Sequence, residues 1–427
     1  MNRKVPSARH SSPERPLKVV LAVGRSRLAG TERHVLELAR ALPRERTDVT
    51  VAVFSEGALA DRLREAGIKV RVFRRRARFD VLLFMELTSF FRKGSFDVVH
   101  AHPERIACLA AKLARTPAVL MTYHLIGPES AGAKKPGAFL SLAERARAAF
   151  VDFTIAVSKA DADFLVRGFG RDSDNVRYIA NGIGPAPARS GNEERARYDR
   201  RAALARELGF DPSTKLVVTA ARLSPQKGVR YLVTAMKKVL EGVPGAVLIV
   251  AGEGELEREL KALAARSGVA GNVVFAGYRE DVLELVWAAD LFVLPSLWEG
   301  MPYAVLEAMT LARPVVTTPV SSEVVLDGET GLVVPPEDDA ALAAAITKLL
   351  SEPETAARMG RAGRERVLTS FSADRMAAET LEVYERLLSR RAGQTGARPT
   401  GAGRTGAGRG DSRRGPAGRD YPGGGAR

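Results

Sequence analysis

The chain has 427 residues, 45% of them apolar and 27% charged, and a formal net charge of +15. That composition belongs to a folded chain long enough for two domains, and it excludes a fibrous or wholly disordered one. Cys108 is the single cysteine, so no disulfide forms within the chain, which suits a reducing cytoplasm.

The positive charge is uneven. Residues 19–190 carry 28 basic and 18 acidic side chains, whereas residues 191–391 carry 25 and 29. A basic half joined to a mildly acidic one points to an anionic partner for the first: a membrane surface, phosphate groups or nucleic acid. The longest apolar runs, such as Leu291–Leu297, are strand-sized and far shorter than the ~20 residues of a membrane-spanning helix.

Residues 1–16 read as a flexible basic arm. Lys18–Val23 reads as a first strand, its apolar run being too short for a signal peptide. Ala29-Gly30-Thr31-Glu32-Arg33 then forms a glycine loop entering a helix predicted over Thr31–Leu42, and makes Gly30, Thr31 and Glu32 candidate site residues. Further strands are predicted at Val49–Phe54, Val70–Phe73, Asp97–Ala101, Val119–Tyr123, Thr154–Val157 and Val176–Ile179, with a helix over Arg105–Arg115. They are rich in Val, Ile and Leu without polar alternation, as parallel strands covered on both faces require. His100 and His102 end the fourth strand, and His124 follows the fifth. Ligands of such sheets bind beyond the carboxyl edge, so these histidines point to a site. A metal is not expected: the strand is read as sending His100 and His102 to opposite faces, and no Cys or Asp cluster accompanies them. Two basic stretches, Arg71–Arg78 and the mixed basic and apolar segment Lys134–Phe150, suit an anionic leaflet.

The series pauses at residues 183–192, which hold Gly, Pro and Ser and no apolar period, and then restarts. Strands are predicted at Leu216–Ala220, Val247–Ala251, Val273–Ala276, Leu291–Pro295, Val315–Thr318 and Gly331–Val334, with helices such as Val229–Glu241 and Pro302–Leu311. This alternation predicts an α/β fold of two doubly wound, Rossmann-like domains, 17–187 and 201–371, joined by a linker over 188–200 and facing a central cleft. After the first strand of the second domain, Ser224 is expected to cap a helix beginning at Pro225. Arg222 and Lys227 would then converge beside free N–H groups, a diphosphate site in kind. After the next strand, Gly252 and Gly254 would let a ligand approach the backbone closely. Glu257 stands where a dinucleotide fingerprint needs its third glycine, which argues against a redox cofactor. Glu299 lies in a later strand–helix loop and Glu307 in the helix after Pro302, two carboxylates suited to sugar hydroxyls. A last helix over Ala373–Arg390 has an apolar face that must pack against something. Residues 392–427 read as a disordered Gly/Arg-rich tail.

Taken together, these segments resemble glycosyltransferase family 4, whose members have the two-domain GT-B fold and act with retention. The likeness covers roughly residues 17–390. Glu299 and Glu307 match the family's E-x7-E signature, and Arg222 and Lys227 its R-x4-K pair. Asn181-Gly182-Ile183, Val157-Ser158, Glu323-Val324-Val325, Asp327-Gly328 and Thr330-Gly331-Leu332 match further short stretches in the family's order. The likeness implies a nucleotide-sugar donor, with a uridine or guanosine base. Its diphosphate would be held by Arg222 and Lys227, its ribose by Glu307 and its sugar by Glu299. It also implies that His124 lies near the transferred sugar, so His124 and Glu299 are the catalytic candidates. Gly30, Gly252 and Gly254 join the donor side, and Thr31, Glu32 and His102 face the acceptor. The last helix is implied to cross back to the first domain. The implied reaction is a front-face attack in which the donor's β-phosphate helps deprotonate the acceptor, with no cofactor and no metal. The implied acceptor is a saccharide or a lipid-linked one in cell-envelope or exopolysaccharide synthesis, and the enzyme would be cytoplasmic, peripheral at the inner membrane face. Ala29 before Gly30, Gly184 after the NGI stretch, and the glycine-free Pro319–Glu323 depart from the family's usual pattern.

Two other readings stay open. A non-hydrolysing sugar-nucleotide 2-epimerase has the same architecture and would convert a donor without any acceptor, although the E-x7-E spacing argues against it. A nucleic-acid-binding protein would use the charge and the Arg/Gly tail, but no RNA or DNA module appears and no specific nucleic-acid partner is expected.

Overall fold

The computed structural model describes residues 15–394, apart from 25, 27–28, 78–79, 127–143, 145–147 and 187–191. Most of the expected arm and tail, the start of the linker and most of the Lys134–Phe150 segment lie outside the described residues.

Two sheets, parallel throughout, carry the fold. The first contains β1 (Leu17–Val23), β2 (Thr47–Val53), β3 (Lys69–Val72), β4 (Val98–His102), β5 (Ala118–Tyr123), β6 (Phe153–Ala156) and β7 (Val176–Tyr178), in the order β3-β2-β1-β4-β5-β6-β7. The second contains β8 (Leu216–Ala220), β9 (Val247–Ala251), β10 (Val273–Gly277), β11 (Leu291–Leu294), β12 (Val315–Thr317) and β13 (Leu332–Val333), in the order β10-β9-β8-β11-β12-β13. Each expected strand forms, with ends shifted by a residue or two. The physical reason is double-sided burial. In β1 only Lys18 is exposed, and β4 is buried along its whole length. Separate apolar clusters fill the two faces of each sheet.

Helices make the crossovers: α1 (Gly30–Ala41), α2 (Ala58–Glu65), α3 (Val81–Gly94), α4 (Arg105–Leu113) and α5 (Lys159–Asp163) in the first half. The second half has α6 (Glu193–Leu208), α7 (Val229–Gly242), α8 (Glu257–Arg266), α9 (Val282–Ala288), α10 (Tyr303–Thr310), α11 (Asp339–Ser351), α12 (Pro353–Ser370) and α13 (Ala373–Gln394). Strand order reverses between β1 and β4, and again between β8 and β11. A crevice opens beyond the carboxyl ends of the strands at each reversal. The loops that follow these four strands therefore decide what the molecule can bind.

The expected linker needs correction. Residues 193–200 are the first half of α6, which Asn192 caps by accepting from Arg195 N at 3.0 Å and which Gly209 ends at φ +77°. This helix belongs to the second domain. Arg197 donates to the carbonyls of Trp287 and Ala289, and Arg201 pairs with Asp290 at 2.9 Å.

The last helix crosses back. Met376, Ala377, Leu381, Val383, Tyr384 and Leu387 of α13 are buried in the first domain's core. At the crossing, Ile183 N donates to Phe371 O (2.9 Å) and Ala373 N to Ile183 O (3.1 Å), so the two interdomain passages run side by side. Gly182 permits this, because a Cβ there would lie 2.3 Å from Ser372 O.

Candidate active site

The second domain brings two loops together. Leu297 N donates to Gln226 O (2.8 Å), and Gln226 Nε2 donates to Trp298 O (2.9 Å), which stitches the loop after β8 to the loop after β11. Glu299 sits at this seam. Its Oε1 accepts from Ser296 Oγ at 2.9 Å and from Lys227 Nζ, and Gln226 Nε2 lies 3.4 Å from its Oε2.

Three details differ from expectation here. Pro225–Lys227 is a single 3-10 turn, not the start of a long helix, and the Ser224 side chain makes no cap. Gly228, at φ +62°, separates the turn from α7, and a Cβ there would lie 2.0 Å from Pro295 O. Arg222 and Lys227 do not share one partner: exposed Arg222 pairs with Glu255 at 3.1 Å, and Lys227 with Glu299. Each cation has found its own carboxylate, as two like charges in neighbouring positions do. The glycines of the next loop serve loop-on-loop packing. A Cβ on Gly252 would meet Ala221 O at 2.0 Å, and one on Gly254 would meet Leu223 O at 2.2 Å.

Glu307 lies in the second turn of α10. Burial pushes its carboxyl above the usual range, against the pull of the Arg33 charge. Arg33 Nε stands 3.6 Å from Glu307 and 3.0 Å from Glu37. Glu37 in turn accepts from Gly184 N at 3.0 Å. Arg33 and Glu37 belong to α1, so the carboxylate of the second domain meets a cation of the first. Other contacts close the same seam. A Cβ on Gly300 would lie 1.9 Å from His124 O, Tyr303 OH donates to Gly182 O (3.1 Å), and Lys159 N donates to Glu323 Oε1 (2.8 Å).

On the first domain's side the histidines gather. The expectation that His100 and His102 face apart is wrong: residues two apart in a strand share a face, and these rings have centroids 4.3 Å apart. His100 turns into the core, between Tyr384 OH (2.7 Å) and Thr122 Oγ1 (2.6 Å). His102 Nδ1 lies 3.3 Å from His124 Nε2, and His34 packs on both rings, with centroids 5.2 and 4.7 Å away. His34 Nδ1 also lies 2.9 Å from Asn181 Oδ1, and Asn181 Nδ2 donates to Met301 O (2.8 Å). Burial pushes His34 down to about 4 and His100 to about 3, and His102 and His124 well below the usual range. Desolvation thus favours the neutral imidazole at all four.

Of the expected site residues, Lys227, Glu299, Glu307, His102 and His124 line one interdomain seam. Gly30 opens α1 with free space at its Cβ position. Thr31 is half-buried, and Glu32 is buried, not presented on the surface. Arg33, His34, Glu37 and Asn181 complete the seam. Arg33, His34 and Glu37 carried no site signal of their own; what marks them is a cluster of polar side chains at a helix start, with Glu32, His34 and Glu37 buried and Arg33 half-buried.

The family model "Glycosyl transferases group 1" matches residues 200–366, and "Glycosyltransferase Family 4" matches residues 28–186. The alpha-maltose-1-phosphate synthase of Mycolicibacterium smegmatis is 32% identical over 332 residues, covering 72% of this chain and 83% of that protein. The UDP-Gal:alpha-D-GlcNAc-diphosphoundecaprenol alpha-1,3-galactosyltransferase of Escherichia coli is 28% identical over 307 residues, 68% of this chain and 76% of that protein. Among solved structures, Anabaena HepE in complex with UDP and glucose superposes with a TM-score of 0.73 at 21% identity, over 87% of this chain and all of that one. Two matched domains, two switch-point crevices and an acidic and basic seam between them agree: the chain belongs to the group 1, family 4 glycosyltransferases and is a glycosyltransferase of the GT-B fold.

Proposed function

We propose that the chain moves a hexose or N-acetylhexosamine from a UDP- or GDP-sugar to a saccharide or lipid-linked acceptor in cell-envelope or exopolysaccharide synthesis, with retention at the anomeric carbon. One observation carries the reading. The loop bearing Glu299 packs on His124, and Glu307 pairs with Arg33, where the carboxyl edges of the two sheets meet.

In this reading Lys227 turns from Glu299 to the donor diphosphate, joined by Arg222. The two cations take up the charge that grows on the departing nucleoside diphosphate. The N–H groups of the turn after β8 add donors. Glu307 takes ribose hydroxyls, whose hydrogen bonds satisfy a carboxylate that burial otherwise penalises. Glu299, oriented by Ser296 and Gln226, takes sugar hydroxyls, and His124 stands beside the transferred sugar. The bond from the anomeric carbon to the β-phosphate oxygen breaks. The acceptor oxygen bonds to the same face, and its proton passes to that phosphate oxygen. The reading uses no protein nucleophile, cofactor or metal.

The E. coli relative's donor is UDP-Gal and its acceptor a diphosphoundecaprenol-linked sugar by name, which favours a uridine donor and a polyprenyl-linked acceptor here. No helix among the described residues is long and apolar enough to cross a membrane. We place the chain in the cytoplasm, peripheral at the inner membrane face through its basic first domain.

A thermal-shift screen of nucleotide sugars, followed by NMR of the product's anomeric proton, tests the reading. Stabilisation by one nucleotide sugar and an axial product linkage from an axial donor are expected. Inversion would refute the mechanism, and epimerisation of the donor without acceptor would establish the epimerase instead.

A further inference from the structure

Three histidines gather at the seam, His34 from α1 and His102 and His124 from the ends of β4 and β5. One nitrogen from each of His34, His102 and His124 lies within 4.8 Å of the others. His102 Nδ1 and His124 Nε2 are 3.3 Å apart, long for a hydrogen bond. It is, however, about the 3.3 Å edge of a tetrahedral site with Zn–N bonds of ~2.0–2.1 Å, and the wider 4.8 Å span of the trio must close by roughly an ångström or more on loading. Asn181 fixes the third ligand. Its Nδ2 donates to Met301 O, so its Oδ1 must accept, and His34 Nδ1 must carry the proton. That leaves a lone pair on His34 Nε2, held by a hydrogen-bonded carbonyl behind the ring in the way metal-binding histidines are held. His102 Nε2 and His124 Nδ1, the nitrogens away from the contact between those two rings, have no hydrogen-bond partner among the described residues, so neither of these rings is held from behind as His34 is.

We propose that His34, His102 and His124 form a site for a divalent transition cation of the zinc class, with a fourth position open to a ligand from the cleft. Three imidazoles and no carboxylate suit zinc, cobalt or nickel, and give magnesium and calcium none of the oxygens they require. The site stands apart from the transfer reading, which needs no metal. The two meet at His124: a filled site withdraws one of its nitrogens, so metal slows transfer.

The test is titration of the full, untagged, chelator-treated chain with cobalt(II). One equivalent should bind with the visible absorption of tetrahedral cobalt, and zinc should displace it while magnesium does not. His34→Gln should weaken binding roughly a hundredfold while the chain keeps its melting transition. X-ray absorption of the zinc-loaded wild-type chain should count three imidazoles, a readout that stands even if the variant fails to fold. No saturable cobalt absorption, fewer than three imidazoles, or unchanged affinity in folded His34→Gln would overturn the site. Zinc that binds by these criteria without slowing transfer would support the site and remove His124 from the sugar.

Discussion

Glu307 stands 3.6 Å from its cross-domain partner Arg33, beyond hydrogen-bond range, so its oxygens keep capacity for hydroxyl donors. Arg222 is exposed and paired only on the rim with Glu255, an arrangement of little net stabilising value. Neither side chain lies in the core of either domain, so Glu307→Ala and Arg222→Ala should each lower kcat/KM by ~10²-fold or more while helix content by circular dichroism stays as in the wild type. Wild-type rates in both would dissolve the site assignment. Gly300 makes the opposite prediction. Its Cβ position lies 1.9 Å from the His124 carbonyl and 3.0 Å from Val157. Gly300→Ala must therefore push the domains apart or strain them, at a cost of about 1–3 kcal/mol. Small-angle scattering of the variant should show a larger radius, or denaturation a lower midpoint; neither change would mean the seam is loose. The residues of this seam were legible where local spacing carries them. Lys227 and Glu299 lie in loops that follow a strand, Glu307 lies in the helix entered from the second of those loops, and a strand end in such a sheet is a site by geometry. Arg33 and Asn181 act across the domains, and no local period encodes which partner a helix start will face. The two histidines of β4 were misread for a different reason: a spacing of two was taken as a change of face.

At the scale of elements, what could be read was what burial writes into apolar periodicity. β1 and β11 are near-continuous apolar runs because both faces are covered. α6 escaped notice because it buries only Arg201, Leu204 and Ala205 and is anchored by arginine contacts, which leave no apolar stripe. α13 shows its stripe plainly, yet the stripe does not say which core receives it. Its anchor is the bond between Tyr384 OH and His100 Nδ1, both buried. Tyr384→Phe keeps the ring's packing and leaves one histidine nitrogen unpaired, which costs ~1–3 kcal/mol. A urea midpoint lowered to that extent, with helix content unchanged, is the expected result. An unchanged midpoint would mean that apolar packing alone holds the crossing helix.

At the scale of the whole molecule, charge and exposed apolar surface fall on the same domain. Val81, Leu82 and Met85 stand exposed on α3, and Leu109 and Leu113 on α4, which packs beside it. Single exposed apolar side chains are ordinary, but five on two adjoining helices form a face. Arg92, exposed, reaches the Leu113 carbonyl at that face, and Arg74 and Arg76 lie exposed just before α3. An anionic leaflet attracts each such cation by ~1 kcal/mol, and salt screens the attraction. Apolar side chains inserting into the headgroup boundary add a contribution that salt does not screen. Because residues 191–391 are net acidic, the same field would turn the second domain away, so under the peripheral placement proposed above the charge asymmetry would orient the molecule as well as recruit it. Co-sedimentation with phosphatidylglycerol-containing vesicles should therefore be strong at low salt and fall steeply as salt rises. Leu82→Glu with Met85→Glu should weaken it about tenfold or more even at low salt, since burying either apolar side chain is worth ~1.5–3 kcal/mol. Equal binding to neutral vesicles would remove the electrostatic half of this account. An unaffected double variant would remove the face formed by α3 and α4.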